Sequence, residues 1–204
     1  MTQETWLLGG AAFSGLIIGH SLDVLAANFR RWWRGNPVIT THFSPKGGCT
    51  AVIVEEMNAA RSEILMQAYS FTCPDIAQAL IAAAGRGVRV RVVLDRSNEA
   101  ESHTELGDLK VHGIDVKIDA SHAIAHNKVV VIDGRTVLTG SFNFTRQAEH
   151  ENAENLIVLR NHHDQATLYR ANFDAHADHS HLPGEATLQA TPPSAHYGHY
   201  HKAA

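Results

Sequence analysis

The alternation of short apolar runs with helical periodicities between residues 63 and 118 limits the fold of this chain more than any other feature. Glu63–Tyr69 has the length and apolar content of a strand, and Val88–Asp95 alternates before becoming wholly apolar, as a strand covered by helices does. Between them, Pro74 suits the first turn of a helix with an apolar stripe. A weaker helix over Glu99–His112 and a strand at Ile114–Ile118 follow. This order predicts an α/β fold with a mixed, largely parallel sheet sandwiched between helices.

Further strand and helix patterns flank this region. Pro37–Phe43 is extended in character, and Val52–Ala60 carries apolar residues at helical spacing. Farther along, the apolar runs Val129–Ile132 and Thr136–Gly140 are joined by the dipeptide Asp133-Gly134, which is a strong hairpin-turn signal. We therefore predict that residues 36–178 form one catalytic domain.

The composition is that of an ordinary globular protein with a core. Of the 204 residues, 44% are hydrophobic and 19% are charged, which suits one domain with extensions. The formal net charge of −4 argues against a DNA-coating protein, but it leaves room for an enzyme with a local basic site. Cys49 and Cys73 are too few for a disulfide-built fold or a four-thiolate metal site. We interpret them as structural thiols, with a disulfide between them as the alternative.

The first 35 residues form a hydrophobic segment with a basic flank. A helix over residues 6–27 would span about 33 Å at ~1.5 Å per residue, enough to cross a bilayer. Three arginines and two tryptophans follow it between residues 30 and 34, as is typical of a retained anchor. We predict membrane association through residues 6–27, with the main domain cytoplasmic by the positive-inside rule. The alternatives are a cleaved signal, which would make the protein periplasmic or secreted, and a buried amphipathic helix.

The last segment, residues 179–204, is rich in histidine and proline and has no periodicity. Such a composition predicts a disordered tail. A histidine-rich tract can bind zinc or nickel, but we interpret this one as a solvated tail without a catalytic role.

A histidine, a lysine and an aspartate with the spacing H-x-K-x4-D surround one predicted strand. His126 and Lys128 are two residues apart, so they face the same way on a strand, whereas Asp133 has the opposite parity. A neutral imidazole can attack phosphorus, and a nearby ammonium can bind the non-bridging oxygens where charge accumulates. The parity of Asp133 favours a role in fixing the turn, or a hydrogen bond behind the site, over direct contact with the same phosphate.

The segment Gly140-Ser141-Phe142-Asn143-Phe144 repeats this geometry. Ser141 and Asn143 share a face and offer neutral donors to the same phosphate, Gly140 permits close backbone approach, and both phenylalanines are predicted to face the core. Glu154 opens another apolar strand, Leu156–Leu159, where a carboxylate could orient the imidazole.

These patterns together resemble the phospholipase D superfamily, and within it the small single-motif bacterial endonucleases of the Nuc type. The resemblance runs from about Phe43 to Phe173 and includes Ala68-Tyr69-Ser70-Phe71-Thr72, which is similar to the family's first half. It implies a phospholipase D-like fold and a role for each matched residue. His126 would be the nucleophile, the phosphate ligands would be Lys128, Ser141 and Asn143, and Glu154 would orient His126 while Asp133 completes the motif.

The family mechanism needs two histidines, and this sequence contains one H-x-K motif. We therefore predict a two-fold homodimer with a shared active site. The lysines and the hydroxyl and amide donors bind the phosphate in place of a metal, so we expect no metal and no cofactor.

The substrate stays open between two classes with the same chemistry. We favour a nonspecific endonuclease on DNA or RNA, because the chain is too small to build an acyl-chain pocket. The alternatives are phospholipase D-type hydrolysis of a membrane phospholipid and an inactive membrane-tethered binding module. Other polar residues are interpreted as ordinary: His122 as a loop histidine, with a place lining the cleft as the alternative, the pair His162-His163 as a cap region, and Lys46 and Arg146 as surface charges as readily as extensions of the phosphate site.

Overall fold

Seven strands form one mixed sheet in the computed structural model, which describes residues 35–185. The spatial order is β1-β7-β6-β5-β2-β3-β4. The strands are β1 Val38–Phe43, β2 Glu63–Ala68, β3 Arg89–Asp95, β4 Asp115–Asp119, β5 Lys128–Ile132, β6 Thr136–Gly140 and β7 Asn155–Arg160.

The predicted α/β architecture with a mixed sheet is confirmed, although parallel pairing is confined to β2, β3 and β4. The other four pairings are antiparallel. The parallel strands need crossover connections, which the helical segments after β2 and β3 supply, whereas β5 and β6 are joined by a tight turn. The parallel share is therefore smaller than the sequence pattern suggested, because the second half of the domain is built from short connections.

Helices cover both faces of the sheet. They are α1 Cys49–Ala59, α2 Pro74–Gly85, α3 Ser97–Ala100, α4 Leu106–Val111, α5 Arg146–His150 and α6 His163–His179. One core includes residues of α1, α2 and α4, and a second core places Phe173 and Ala177 of α6 against the opposite sheet face. Every residue of β2 and β5 is buried, as expected for strands with helices on both sides.

The structure differs from the sequence prediction in two helical regions. The predicted helix over Glu99–His112 is two short helices, α3 and α4, with a loop between them. Asn98 and Thr104 hold this loop, because the amide of Asn98 donates to the Tyr69 carbonyl at 2.7 Å and accepts from the Thr104 hydroxyl at 3.1 Å. Helix α5 was not predicted; Thr145 caps it by accepting a hydrogen bond from Ala148 N at 3.1 Å.

The two cysteines are unpaired and buried, which confirms their interpretation as structural thiols. Burial is the main cause that raises the pKa of Cys49 to about 11 and raises that of Cys73 above its ordinary value. Both thiols therefore stay protonated at neutral pH and behave as small apolar groups.

The predicted anchor at residues 6–27 lies outside the described residues, as does the tail beyond residue 185. Across residues 35–185, each helix is too short or too polar to cross a bilayer. Residues 179–185 of the predicted tail are described. There, His181 pairs with Ile118 through main-chain hydrogen bonds of 2.8 and 3.1 Å.

Candidate active site

The candidate site forms at one end of the sheet, where three neighbouring strands begin or finish together. Lys128 opens β5 and pairs with Ala68, the last residue of β2. Gly140 closes β6, the other neighbour of β5. Because these pairings are antiparallel, the segments before β5, after β2 and after β6 meet at the same edge. The fold thus gathers residues separated by more than 70 positions in the sequence.

His126 lies just before β5, with its imidazole exposed. Its ring packs against Tyr69 with 4.6 Å between ring centroids, and the two segments are joined by a hydrogen bond from Tyr69 N to Asn127 O at 3.0 Å. Within residues 35–185, the imidazole makes no hydrogen bond, so its ring nitrogens are open to a substrate. Accessibility and a fixed ring position are what a nucleophile requires.

Lys128 brings a buried positive charge beside this ring. Its side chain is nearly covered, its Nζ donates to the main-chain oxygen of His126 at 2.9 Å, and the ammonium lies 5.1 Å from the centroid of the Tyr69 ring. Burial lowers the pKa of Lys128, and the negative charge of Glu154 partly opposes that shift. An ammonium held in a site of low dielectric interacts more strongly with an anionic phosphate than one in water.

Ser141 follows β6 with its hydroxyl available for donation. Its Oγ accepts from the main-chain N of Asn155 at 3.0 Å and from the Asn155 side-chain amide at 3.2 Å. A hydroxyl has two acceptor sites and one donor, so these two bonds leave the O–H free to reach another acceptor. The arrangement suits a group that donates to a phosphate oxygen.

Gly140 and Asn143 complete this segment. A Cβ on Gly140 would lie 2.2 Å from the main-chain oxygen of Asn155, so the close approach predicted at this position is to β7. The Oδ1 atom of Asn143 is buried without a hydrogen-bond partner among the described residues. The predicted inward orientation of Phe142 and Phe144 is confirmed, since each is 1% exposed.

Glu154 lies next to Asn155 at the start of β7, and its carboxylate accepts a hydrogen bond from the Asn152 side chain at 3.1 Å. In the described part of the chain it forms no hydrogen bond with His126. Its charge acts on Lys128 instead, raising the pKa of that ammonium. The predicted orientation of His126 by Glu154 therefore stays a prediction.

Asp133 sits at the opposite end of β5 from Lys128. Its carboxylate accepts from the main-chain N of Arg61, Ser62 and Glu63 and from the Ser62 hydroxyl, at distances of 2.8 to 3.3 Å. Its φ of +52° and that of Gly134, +60°, form the turn that the sequence predicted. These hydrogen bonds fix the turn, the role that the strand parity of Asp133 favoured, at the end of β5 opposite Lys128.

The remaining polar candidates fall in different places. His162 occupies the N-cap position of α6, as predicted for a cap region. Arg146 lines a separate cavity with Asp75 and Glu149. The main-chain N of Lys46 donates a hydrogen bond to the main-chain oxygen of Glu149 at 2.7 Å. His122 shares with His126 a polar depression of about 260 Å³, which His176 and Asn172 also line.

Sequence reasoning gave no role to Tyr69 and Asn155. Tyr69 packs against both His126 and Lys128, and its neighbours had been noted for their family resemblance. Asn155 holds Ser141 through its side chain and its main chain, and it follows Glu154 directly. A signal for both was their place at the ends of predicted strands, where functional side chains concentrate.

Comparison with known proteins supports this geometry. Residues 53–177 match the family described as cardiolipin synthase, phospholipase D-like domain. This chain therefore belongs to the phospholipase D-like family and is a phosphodiesterase.

Particular relatives sharpen the assignment. Nuc from Salmonella typhimurium, a solved phospholipase D family member, is 34% identical; the match covers 72% of this chain and 97% of Nuc, with a TM-score of 0.69. A protein named phospholipase D from Rickettsia conorii is 46% identical over 164 residues, which are 79% of this chain and 82% of that protein. A mitochondrial cardiolipin hydrolase from Xenopus tropicalis is 39% identical over 99 residues, about half of each chain (48% and 47%).

Proposed function

We propose that the chain hydrolyses phosphodiesters without a catalytic metal, through a covalent phosphohistidine on His126. The observation that carries this proposal is the exposed imidazole of His126 beside the buried ammonium of Lys128. Lys128 neutralises charge on the phosphate, and Ser141 and Asn143 donate to its oxygens. These groups provide the electrostatic stabilisation that a metal supplies in other phosphodiesterases.

The reaction has two steps. A ring nitrogen of His126 forms a bond to phosphorus while the bond to the leaving oxygen breaks, and that oxygen takes a proton from a second, protonated histidine. In the second step water gives its proton to that histidine, now neutral, and the water oxygen displaces His126 from phosphorus. The products are an alcohol and a phosphomonoester, and both histidines return to their starting states.

The second histidine comes from an identical subunit in this proposal. One H-x-K motif occurs in the 204 residues. His122 lines the same depression as His126, but its Nδ1 is engaged by the Asp119 carboxylate at 3.0 Å. A two-fold axis through the site would place two copies of His126 and Lys128 around one phosphate.

Subunit mixing tests the shared site. Wild-type protein and the His126→Ala variant are mixed in varying ratios and allowed to exchange, and turnover per total protein is measured. If one site needs two copies of His126, activity follows the square of the wild-type fraction, so an equal mixture retains about one quarter of full activity. Retention of about one half, together with a monomeric sedimentation profile, would contradict the dimer.

To test the intermediate, the enzyme is mixed with a labelled diester and the reaction is quenched rapidly without acid. The peptide that contains residue 126 is then analysed by mass spectrometry. We expect phosphate on His126 in the wild type and no turnover in the His126→Ala variant. The His103→Ala variant is a matched control, because His103 is exposed and lies in the loop before α4. An unlabelled His126 in an active enzyme would refute the mechanism, and a folded protein with no turnover on any diester would instead favour a binding module.

We infer that the physiological diester belongs to a nucleic acid. The depression beside His126 encloses about 260 Å³ and is largely polar. This volume is below the ~300–1,000 Å³ typical of pockets that enclose a small ligand. A polymer that lies across the surface presents its phosphate to an exposed imidazole without needing enclosure.

Hydrolysis of a phospholipid is the second candidate. The names of the Rickettsia and Xenopus relatives favour it, as does the predicted membrane segment at residues 6–27. One assay with single-stranded DNA, duplex DNA, RNA and phospholipid vesicles, each with and without a chelator, separates the two. Turnover of nucleic acid at least about 100-fold faster than lipid supports the nuclease, and the reverse ranking would replace it with the phospholipase.

A further inference from the structure

Four metal-ligating side chains converge outside the proposed catalytic groups. Asp119 is the last residue of β4, and His122 follows it in the loop that leads to His126. His176 and His179 lie three residues apart near the end of α6, so they share one helix face. Each of the four residues offers one ligand atom, and all four atoms lie within 4.8 Å of one another.

The distances between the ligand atoms bracket those around a tetrahedral ion. The closest approaches to the Asp119 carboxylate are 2.7 Å from His176 Nδ1, 3.0 Å from His122 Nδ1 and 3.3 Å from His179 Nε2. A zinc ion with bonds of about 2.0–2.1 Å would hold neighbouring ligand atoms about 3.3 Å apart. Small side-chain adjustments therefore admit an ion at the centre of the cluster.

The Asp119 carboxylate is the centre of this cluster. All three imidazoles approach its Oδ2 atom, and His122 Nδ1 also lies 3.1 Å from Oδ1. The Asp119 side chain is fully buried, while those of His176, His122 and His179 are 11%, 24% and 32% exposed. The other oxygen, Oδ1, accepts from Ser121 N at 3.0 Å, which fixes the orientation of the carboxylate. A buried carboxylate ringed by three imidazoles and held from behind resembles a preformed ligand set.

We propose that Asp119, His122, His176 and His179 bind a structural zinc ion. Three imidazole nitrogens and one carboxylate oxygen suit a borderline cation such as Zn²⁺, whereas Mg²⁺ and Ca²⁺ prefer sets of oxygen ligands. Four protein ligands fill a tetrahedral site and leave no position for a substrate, which is the arrangement of structural zinc. The ion lies outside the phosphodiester chemistry proposed for His126.

The site would tie the end of α6 to the loop that carries the nucleophile. His122 precedes His126 by four residues. The same loop is also held by a hydrogen bond from Ala125 N to Asp95 at 2.7 Å. Zinc would thus fix one side of the loop while Asp95 fixes the other. His122, His176 and His179 are positioning residues in this proposal, and only this positioning effect rests on the proposed function.

Metal content of the full-length protein, purified without a metal-affinity step, tests the site. We expect about one zinc per chain and, in apo protein given zinc at about 100 times its Kd, a rise in Tm of roughly 5–10 °C. X-ray absorption at the zinc edge should show four nitrogen or oxygen ligands near ~2.0 Å. Zinc below about 0.1 per chain, with no change in Tm on zinc addition, would overturn the proposal.

Variants separate the site from the histidine-rich tail. The His179→Ala variant changes the most exposed ligand and should weaken zinc binding at least about 10-fold. The His179→Cys variant should restore binding, because a thiolate is also a zinc ligand, and its cobalt form should show a sulfur-to-metal charge-transfer band. A cluster held by hydrogen bonds would gain nothing from cysteine.

The control for the tail is a triple variant with alanine at His196, His199 and His201, which should keep its zinc. Loss of zinc from this variant, with retention by the His179→Ala variant, would assign the metal to the tail and refute the site. The His126→Ala variant should be inactive yet carry wild-type zinc. The zinc proposal and the phosphohistidine proposal can therefore fail independently.

Discussion

Replacing Asp133 should destabilise the fold while leaving the chemistry intact. The carboxylate accepts hydrogen bonds from four donors at the start of β2 and just before it, namely the main-chain N of Arg61, Ser62 and Glu63 and the Ser62 hydroxyl. A hydrogen bond to a charged group contributes about 1.5–3 kcal/mol, and the low end applies at this partly exposed turn. Because one carboxylate serves all four donors, we take their combined contribution as about 3 kcal/mol.

The backbone adds a second penalty that depends on the replacement. With φ at +52°, Asp133 is in the left-handed region, which costs alanine about 1 kcal/mol and which asparagine tolerates. Asp133→Ala should therefore lower the free energy of unfolding by about 4 kcal/mol. Asp133→Asn keeps one acceptor oxygen but turns an amide toward Arg61 N, so we expect about 2 kcal/mol.

Urea unfolding and thermal unfolding, each followed by circular dichroism, measure these changes, and turnover of a chromogenic diester is measured where each variant is folded. The expected fall in Tm is roughly 8–16 °C for alanine and 4–8 °C for asparagine, with turnover within about threefold of wild type. Glu101→Gln, at an exposed position, serves as the control. Wild-type stability in Asp133→Asn combined with a loss of turnover beyond about 100-fold would show that Asp133 acts in the chemistry.

Three further predictions concern the site itself. Lys128→Met should reduce kcat at least about 100-fold. The free energy of unfolding should change by under about 2 kcal/mol, because relief from burying a charge offsets the lost hydrogen bond. A kcat within tenfold of wild type would contradict the proposed role of Lys128. Glu154→Gln should lower the pKa of Lys128 further, because the negative charge of Glu154 raises that pKa. The alkaline limb of the pH profile of kcat/KM should therefore move to lower pH. An unchanged alkaline limb would contradict this coupling. Gly140→Ala should cost about 3 kcal/mol or more because its Cβ would lie 2.2 Å from the Asn155 oxygen. Gly107→Ala, in α4 with open space around it, should instead be neutral or stabilising, and equal thermal denaturation of the two variants would contradict the strand contact.

The burial of Lys128 makes the stability of the folded protein depend on pH. Its folded-state pKa is depressed, so the charged form is disfavoured in the folded protein. The resulting destabilisation is complete below the folded-state pKa and disappears as pH rises through the unfolded value, about 10.4. At neutral pH this destabilisation accompanies an ammonium held 2.9 Å from the main-chain oxygen of His126.

Part of the fold and of the site could be predicted from local sequence patterns. Alternation and β-branched runs predicted β2, β3 and β5, because a strand between two helical layers is apolar along its whole length. The spacing of His126 and Lys128 predicted that they face the same way, and in the structure both side chains lie against Tyr69. Opposite parity also predicted that Asp133 would fix a turn.

Long-range neighbours could not be predicted in this way. No local pattern indicated that β5 would pair with β2 in antiparallel orientation, so the parallel share of the sheet was overestimated. The electrostatic interaction between Glu154 and Lys128 and the hydrogen bond from Asn155 to Ser141 depend on strand order and register.

The sequence by itself determined the shared orientation of His126 and Lys128, the turn at Asp133 and the class of fold, because each depends on residues within a few positions of one another. Only the tertiary structure brought Asp119, at the end of β4, and His122, in the loop that follows, to His176 and His179 of α6. Their separation of more than 50 positions leaves two ordinary short motifs in the sequence. Packing of α6 across the sheet is what places their four ligand atoms around a common centre.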